Sequence, residues 1–137
     1  MGEARIQSFE EFWPFYVGEH RDPRCRALHY VGTTLAVGTV ATAALTLNPA
    51  WLLLTPVVGY APAWFGHFVI EKNRPASFKY PVWSFRADFK MLSLALAGTM
   101  AEEVERLYPT AQATAETPPT RSPVATHASA PNGAATV

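Results

Sequence analysis

The chain has 137 residues, with 11 Lys and Arg against 11 Asp and Glu and a formal net charge of zero. A length of this order makes one domain, and the zero charge balance excludes binding nucleic acid through a bulk basic surface. A single cysteine, Cys25, excludes an intrachain disulfide and a zinc site built from cysteines alone.

In the first 30 residues Phe9, Phe12, Trp13 and Tyr16 recur at helical spacing with Glu10, Glu11 and Glu19 between them, which predicts an amphipathic helix. Ser8 is placed to cap it, with Glu11 completing a capping box. The aromatic stripe is suited to packing or to interfacial anchoring. No basic stretch followed by an apolar core stands here, so no cleavable signal peptide is expected. Asp22-Pro23 reads as the start of a second helix, Asp as cap and Pro in the first position.

None of the charged residues lies between Val31 and Ile70, where the overall composition would put about six. A chain this short has too little interior to bury such a stretch, and a charge-free run points to lipid. Asn48-Pro49 divides it into two legs of a helical hairpin, each about one hydrocarbon thickness long. Pro56 and Pro62 predict a kink or break in the second leg. Arg21, Arg24 and Arg26 precede the first leg and Lys72, Arg74 and Lys79 follow the second, so both basic flanks are expected on the cytoplasmic side. That makes an integral membrane protein, of a bacterial inner membrane or of the endoplasmic reticulum in a eukaryote. Trp51, Tyr60 and Trp64 suit either an interfacial belt or packing, and Gly32 and Gly38 permit association into a homo-oligomer.

Asn73-Arg74-Pro75 ends the second leg, and Ser84 is a cap for a third helix over about Phe85 to Leu107, expected to pack on the hairpin. Its apolar centre, Met91 to Ala101, is short for a span. The remaining residues are rich in Ala, Thr, Pro and Ser and are expected to be disordered. The expected organisation is all-α: a helical membrane domain over residues 1–108 and a tail over 109–137, which contains His127.

Three histidines stand at the edges of the membrane segments. His20 and His29, nine apart, would face opposite ways on one continuous helix, but a turn at Asp22-Pro23 lets both point inward. His67 and Glu71 share a helical face. The hairpin brings its two ends together, so all four groups can meet. Histidines with one carboxylate suit a non-haem Fe(II) centre with open positions, or zinc with an activated water. Histidines bonded between the helices of a non-catalytic membrane protein fit the same pattern, and a zinc-dependent lipid hydrolase is a further alternative. Asp88 is open to three roles: ligand, partner of a ligand, or ion pair with Arg86 or Lys90. Arg74 and Lys79 are candidates to meet a lipid carboxylate, or simply topology determinants. No Gly-rich phosphate loop, G-x-S-x-G elbow or dinucleotide fingerprint is present.

The runs His20-Arg-Asp-Pro-Arg-Cys-Arg-Ala-Leu-His29-Tyr-Val-Gly-Thr and Gly66-His67-Phe-Val-Ile-Glu71-Lys-Asn-Arg-Pro75-Ala76 resemble the Mpo-like family of membrane proteins. Phe78-Lys-Tyr-Pro81-Val-Trp83-Ser84-Phe-Arg-Ala-Asp88-Phe-Lys-Met91 is similar to its short, bacterial-type branch, and the likeness runs from about Phe9 to Leu107. The resemblance implies Fe(II)-dependent α-oxidation of a 2-hydroxy fatty acid by dioxygen, shortening the chain by one carbon. The family's motif histidines fall on His20, His29 and His67, expected as metal ligands, and its glutamate on Glu71, expected as the catalytic carboxylate. Cys25 departs from the enzyme branch, which carries Asn there, so a hydrogen-bonding amide is replaced by a thiol.

Overall fold

The computed structural model describes residues 5–110; the tail expected over residues 109–137, with His127, lies almost wholly outside them. The described residues are helical throughout, with no strand. Helix α1 spans Phe9–Gly18, α2 Pro23–Thr46, α3 Thr55–Phe65, α4 Pro81–Leu96 and α5 Met100–Leu107.

Local chemistry accounts for the boundaries. The Ser8 hydroxyl accepts from the Glu11 N–H, while Glu11 reaches back to the Gln7 N–H. The Asp22 carboxylate caps α2 by accepting from Arg24 N–H at 2.8 Å, and Pro23 supplies a first-turn residue with no N–H to satisfy. Leu47 closes α2 in a left-handed conformation. The hairpin turn is a short 3-10 segment, Pro49–Leu53, capped by Asn48.

The second leg changes helix type along its length. Pro56 opens α3 and Pro62 lies inside it. From Gly66 to Glu71 the helix widens into a π turn, an arrangement frequent at functional sites. Lys72, at φ 55°, then reverses the chain. The legs pack closely: a side chain at Gly32 would overlap the backbone of Gly59. Gly32 therefore serves the hairpin itself, whereas Gly38 faces open space.

The expected third helix is two helices. It begins earlier, at Pro81, so Ser84 lies within α4 rather than capping it. It stops at Leu96 because Gly98, at φ 75°, turns the chain before α5. Helix α4 packs on α1 and α2. The aromatic stripe of α1 is packing: Phe12 meets Tyr80 and Trp83 at ring separations of 5.3 and 5.6 Å, over buried Ala87 and Met91. Trp13 Nε1 donates to Glu103 at 2.7 Å and the Tyr108 hydroxyl to the Pro14 carbonyl at 2.6 Å, tying α5 to α1.

The hairpin differs from this core. Pro23–Thr46 and Pro49–Glu71 are both long and apolar enough to cross a membrane, and only 17% of each apolar window is buried. Leu35, Val40, Leu45, Leu53, Val57 and Phe65 are all exposed.

Candidate metal centre

His20, His29 and His67 come from three segments and meet in the interior, at 0%, 6% and 2% exposure. The Nε2 atoms of His20 and His29 are 3.1 Å apart and those of His29 and His67 3.2 Å. The turn between α1 and α2 makes the first pair possible. Buried Arg26 holds it by donating to the carbonyls of His20 and Arg21 at 2.8 and 2.7 Å. The Asp22 N–H is taken by Glu71 Oε1 at 2.7 Å.

The outer nitrogens decide the tautomers. His20 Nδ1 lies 2.6 Å from the Tyr16 carbonyl oxygen, His29 Nδ1 2.8 Å from Asp88 Oδ1, and His67 Nδ1 2.7 Å from Asn73 Oδ1. Asn73 presents its oxygen because its amide nitrogen donates to the Glu19 carbonyl and carboxylate at 3.0 and 2.9 Å. All three partners are acceptors, so each Nδ1 carries the proton and each Nε2 a lone pair. Contacts near 3 Å between Nε2 atoms are then not hydrogen bonds, and three lone-pair nitrogens lie within 4.8 Å of one another. Burial first, and then the two neighbouring imidazoles, push the His20 pKa well below its ordinary value, so His20 cannot readily relieve the repulsion by protonating.

This donor set fits a cation. Two imidazole nitrogens about 2.0–2.1 Å from a shared ion lie roughly 2.9–3.4 Å apart between octahedral and tetrahedral angles, which brackets both observed separations. Ligating histidines also take oxygen partners on the other ring nitrogen, as all three do here.

Glu71 lies outside this group. The fourth member expected from its spacing to His67 turns to the Asp22 backbone instead, its Oε1 accepting the Asp22 N–H. Arg74 and Lys79 are both exposed; the Lys79 ammonium sits 5.5 Å from the centre of the Tyr80 ring. Asp88 partners one of the three histidines: one oxygen accepts from both His29 and the Tyr16 hydroxyl. Sequence reasoning passed over Asn73, read only as a helix end, and Tyr16, read only as part of a stripe. The Asn in a helix-terminating Asn-Arg-Pro was the available signal. Cys25 is fully buried against Gly66, where a side chain would come within 2.9 Å of its Sγ, so the thiol packs rather than facing the cavity described next.

Beside the histidines a cavity of about 240 Å³ opens between α2, α3 and α4. His29, His67 and Asp88 form one part of its wall; Ala36, Pro56, Gly59, Ala63, Trp64 and Phe85 are among the apolar residues of the rest. Trp64 and Phe85 are themselves exposed, so the cavity reaches the hairpin's apolar surface.

Comparison with known families matches residues 6–100 to the family described as 2-hydroxy-palmitic acid dioxygenase Mpo1-like. Comparisons with curated proteins and with solved structures returned no significant match. The matched stretch covers most of the chain and contains all three histidines together with Asn73 and Asp88. The chain belongs to the Mpo1-like family.

Proposed function

We propose that the protein is an Fe(II)-dependent dioxygenase that shortens 2-hydroxy fatty acids by one carbon at a membrane. The observation that carries this reading is the gathering of three buried imidazoles, two of which line an apolar cavity that opens onto an apolar hairpin. The family's printed description supports the substrate class.

His20, His29 and His67 would hold the iron, which supplies the redox centre at which dioxygen meets the acid. In the overall change a 2-hydroxy acid and one O2 give the acid shorter by one carbon, CO2 and water. Four electrons pass from the two oxidised carbons to oxygen. Asp88, Asn73 and the Tyr16 carbonyl keep the imidazoles in the ligating tautomer and fix their planes. The apolar walls exclude water and take the acyl chain. Glu71, with Arg26, braces the turn that brings His20 to His29, a positioning role in place of a proton-transferring one.

The two legs span the bilayer. A helix buried in a soluble core would be largely covered, and these are not. His29 lies near the start of the first leg and His67 near the end of the second, so the centre sits at the basic, cytoplasmic end, where a carboxylate can enter while its tail stays in lipid.

The test is elemental analysis of protein purified without oxygen, for the wild type and His67→Ala, followed by incubation with 2-hydroxypalmitic acid with and without O2. About one iron per chain in the wild type, little in the variant, and O2-dependent release of a 15-carbon acid are expected. Iron retained after loss of His67, or turnover that proceeds without O2, overturns the reading.

A further inference from the structure

Among the described residues one buried side-chain polar atom has no hydrogen-bond partner: the hydroxyl of Ser84, in a residue only 3% exposed. A serine inside a helix ordinarily bonds back to the carbonyl one turn earlier. Here the Tyr80 carbonyl already accepts the Ser84 N–H at 2.9 Å, and the hydroxyl does not join it. Ser84 instead lines the cavity beside the histidines. It stands one helical turn before Asp88 on the same face of α4, and Asp88 bonds His29. An unmet hydroxyl in such a place is unfavourable in the free protein and becomes useful when a ligand supplies the acceptor.

Tyr16, Thr33, Thr55, Tyr60 and Ser77 also bring hydroxyls to the cavity wall, but among the described residues Ser84 is the one whose hydroxyl is buried without a partner. No lysine or arginine lines the wall, and the only charged side chain there is the carboxylate of Asp88. Arg74 and Lys79 are exposed and do not line it.

We propose that Ser84 is the head-group anchor of the substrate site, its hydroxyl donating a hydrogen bond to the carboxylate of the bound 2-hydroxy acid; this rests on the substrate reading proposed above. A neutral donor suits the position, because it orients the carboxylate without adding an unpaired charge to an apolar cavity in the free protein.

The experiment is equilibrium binding to purified protein in detergent, with 2-hydroxypalmitic acid and, as a probe lacking the carboxylate, hexadecane-1,2-diol. Ser84→Ala is expected to weaken the acid about ten- to a hundredfold, the range for a hydrogen bond to a charged group. The diol should lose far less, iron per chain should be unchanged, and the melting temperature should not fall, since alanine favours the helix and removes the unpaired hydroxyl. Ser84→Thr, which keeps a hydroxyl beside the cavity, should hold the acid within a few-fold of the wild type. Unchanged acid affinity in Ser84→Ala, or equal losses for acid and diol, overturns the anchor while leaving the dioxygenase reading intact. Failure of the wild type to bind the acid at all removes the substrate reading and the anchor with it.

Discussion

Removing the Asp88 carboxylate tests whether the three imidazoles are held for a metal. One oxygen of Asp88 accepts from His29 Nδ1 at 2.8 Å and from the Tyr16 hydroxyl. Both donors are buried, at 6% and 1% exposure. In Asp88→Ala each loses its acceptor where water cannot easily replace it, at about 1–3 kcal/mol apiece, or roughly 2–6 kcal/mol of stability together. His29 also becomes free to rotate or change tautomer, and loss of such a partner typically lowers metal affinity about 10–100-fold. Asp88→Asn keeps an acceptor oxygen but no charge, so it should preserve most of the stability while still weakening the metal. Both quantities are measurable on purified protein: iron affinity by anaerobic competition with a chelator, and stability by thermal unfolding followed by circular dichroism. The two variants should separate, alanine losing both and asparagine mainly the metal. Wild-type iron affinity in Asp88→Ala would refute the reasoning, because His29 would then be oriented without its carboxylate.

Other expectations follow from the same geometry. Asn73→Ala should weaken iron about 10-fold or more in the same competition, since His67 Nδ1 loses its acceptor and the link to Glu19 breaks. Chelator-stripped protein should melt at lower temperature than loaded protein, and restoring Fe(II) to a hundred times its dissociation constant should return about 2.7 kcal/mol; an unchanged melting curve would deny that the lone pairs need a cation. Gly32→Ala should cost about 1–3 kcal/mol in thermal unfolding, because the added methyl overlaps the Gly59 backbone rather than a yielding side chain. Glu103 supplies a pH dependence: hydrogen bonding to Arg106 first, with help from Trp13, lowers its pKa to about 2. A carboxyl whose folded pKa is depressed stabilises the fold fully above its unfolded value, and that contribution fades as pH falls from about 4.5 toward 2. Glu103→Gln should therefore show a shallower fall in melting temperature over that interval than the wild type.

Much of the architecture was legible in the chain. The charge-free stretch, the Asp22-Pro23 start and the Asn48-Pro49 break are local signals, and α2 begins and the hairpin turns where they place them. The three histidines were legible too, since a turn between His20 and His29 was the condition for their meeting and Asp22-Pro23 announced it. The end of the chain read less well. A continuous helical pattern concealed the turn at Gly98, and Ser84 resembled a cap although Pro81 opens α4 three residues earlier.

The sequence by itself determined the helical class, the apolar hairpin and the candidate imidazoles, because periodicity, charge exclusion and proline placement act within a few residues. Only the tertiary structure decided what surrounds those imidazoles. Asp88 reaches His29 across 59 positions, and Asn73 bonds both His67 beside it and Glu19 far away. Glu71 turns from the histidines to the Asp22 N–H, a partner 49 positions away that no helical spacing rule anticipates. Hydrogen-bond partners and cavity walls depend on how helices cross, which is set by the close approach of Gly32 to Gly59 and the packing of α4 on α1 and α2.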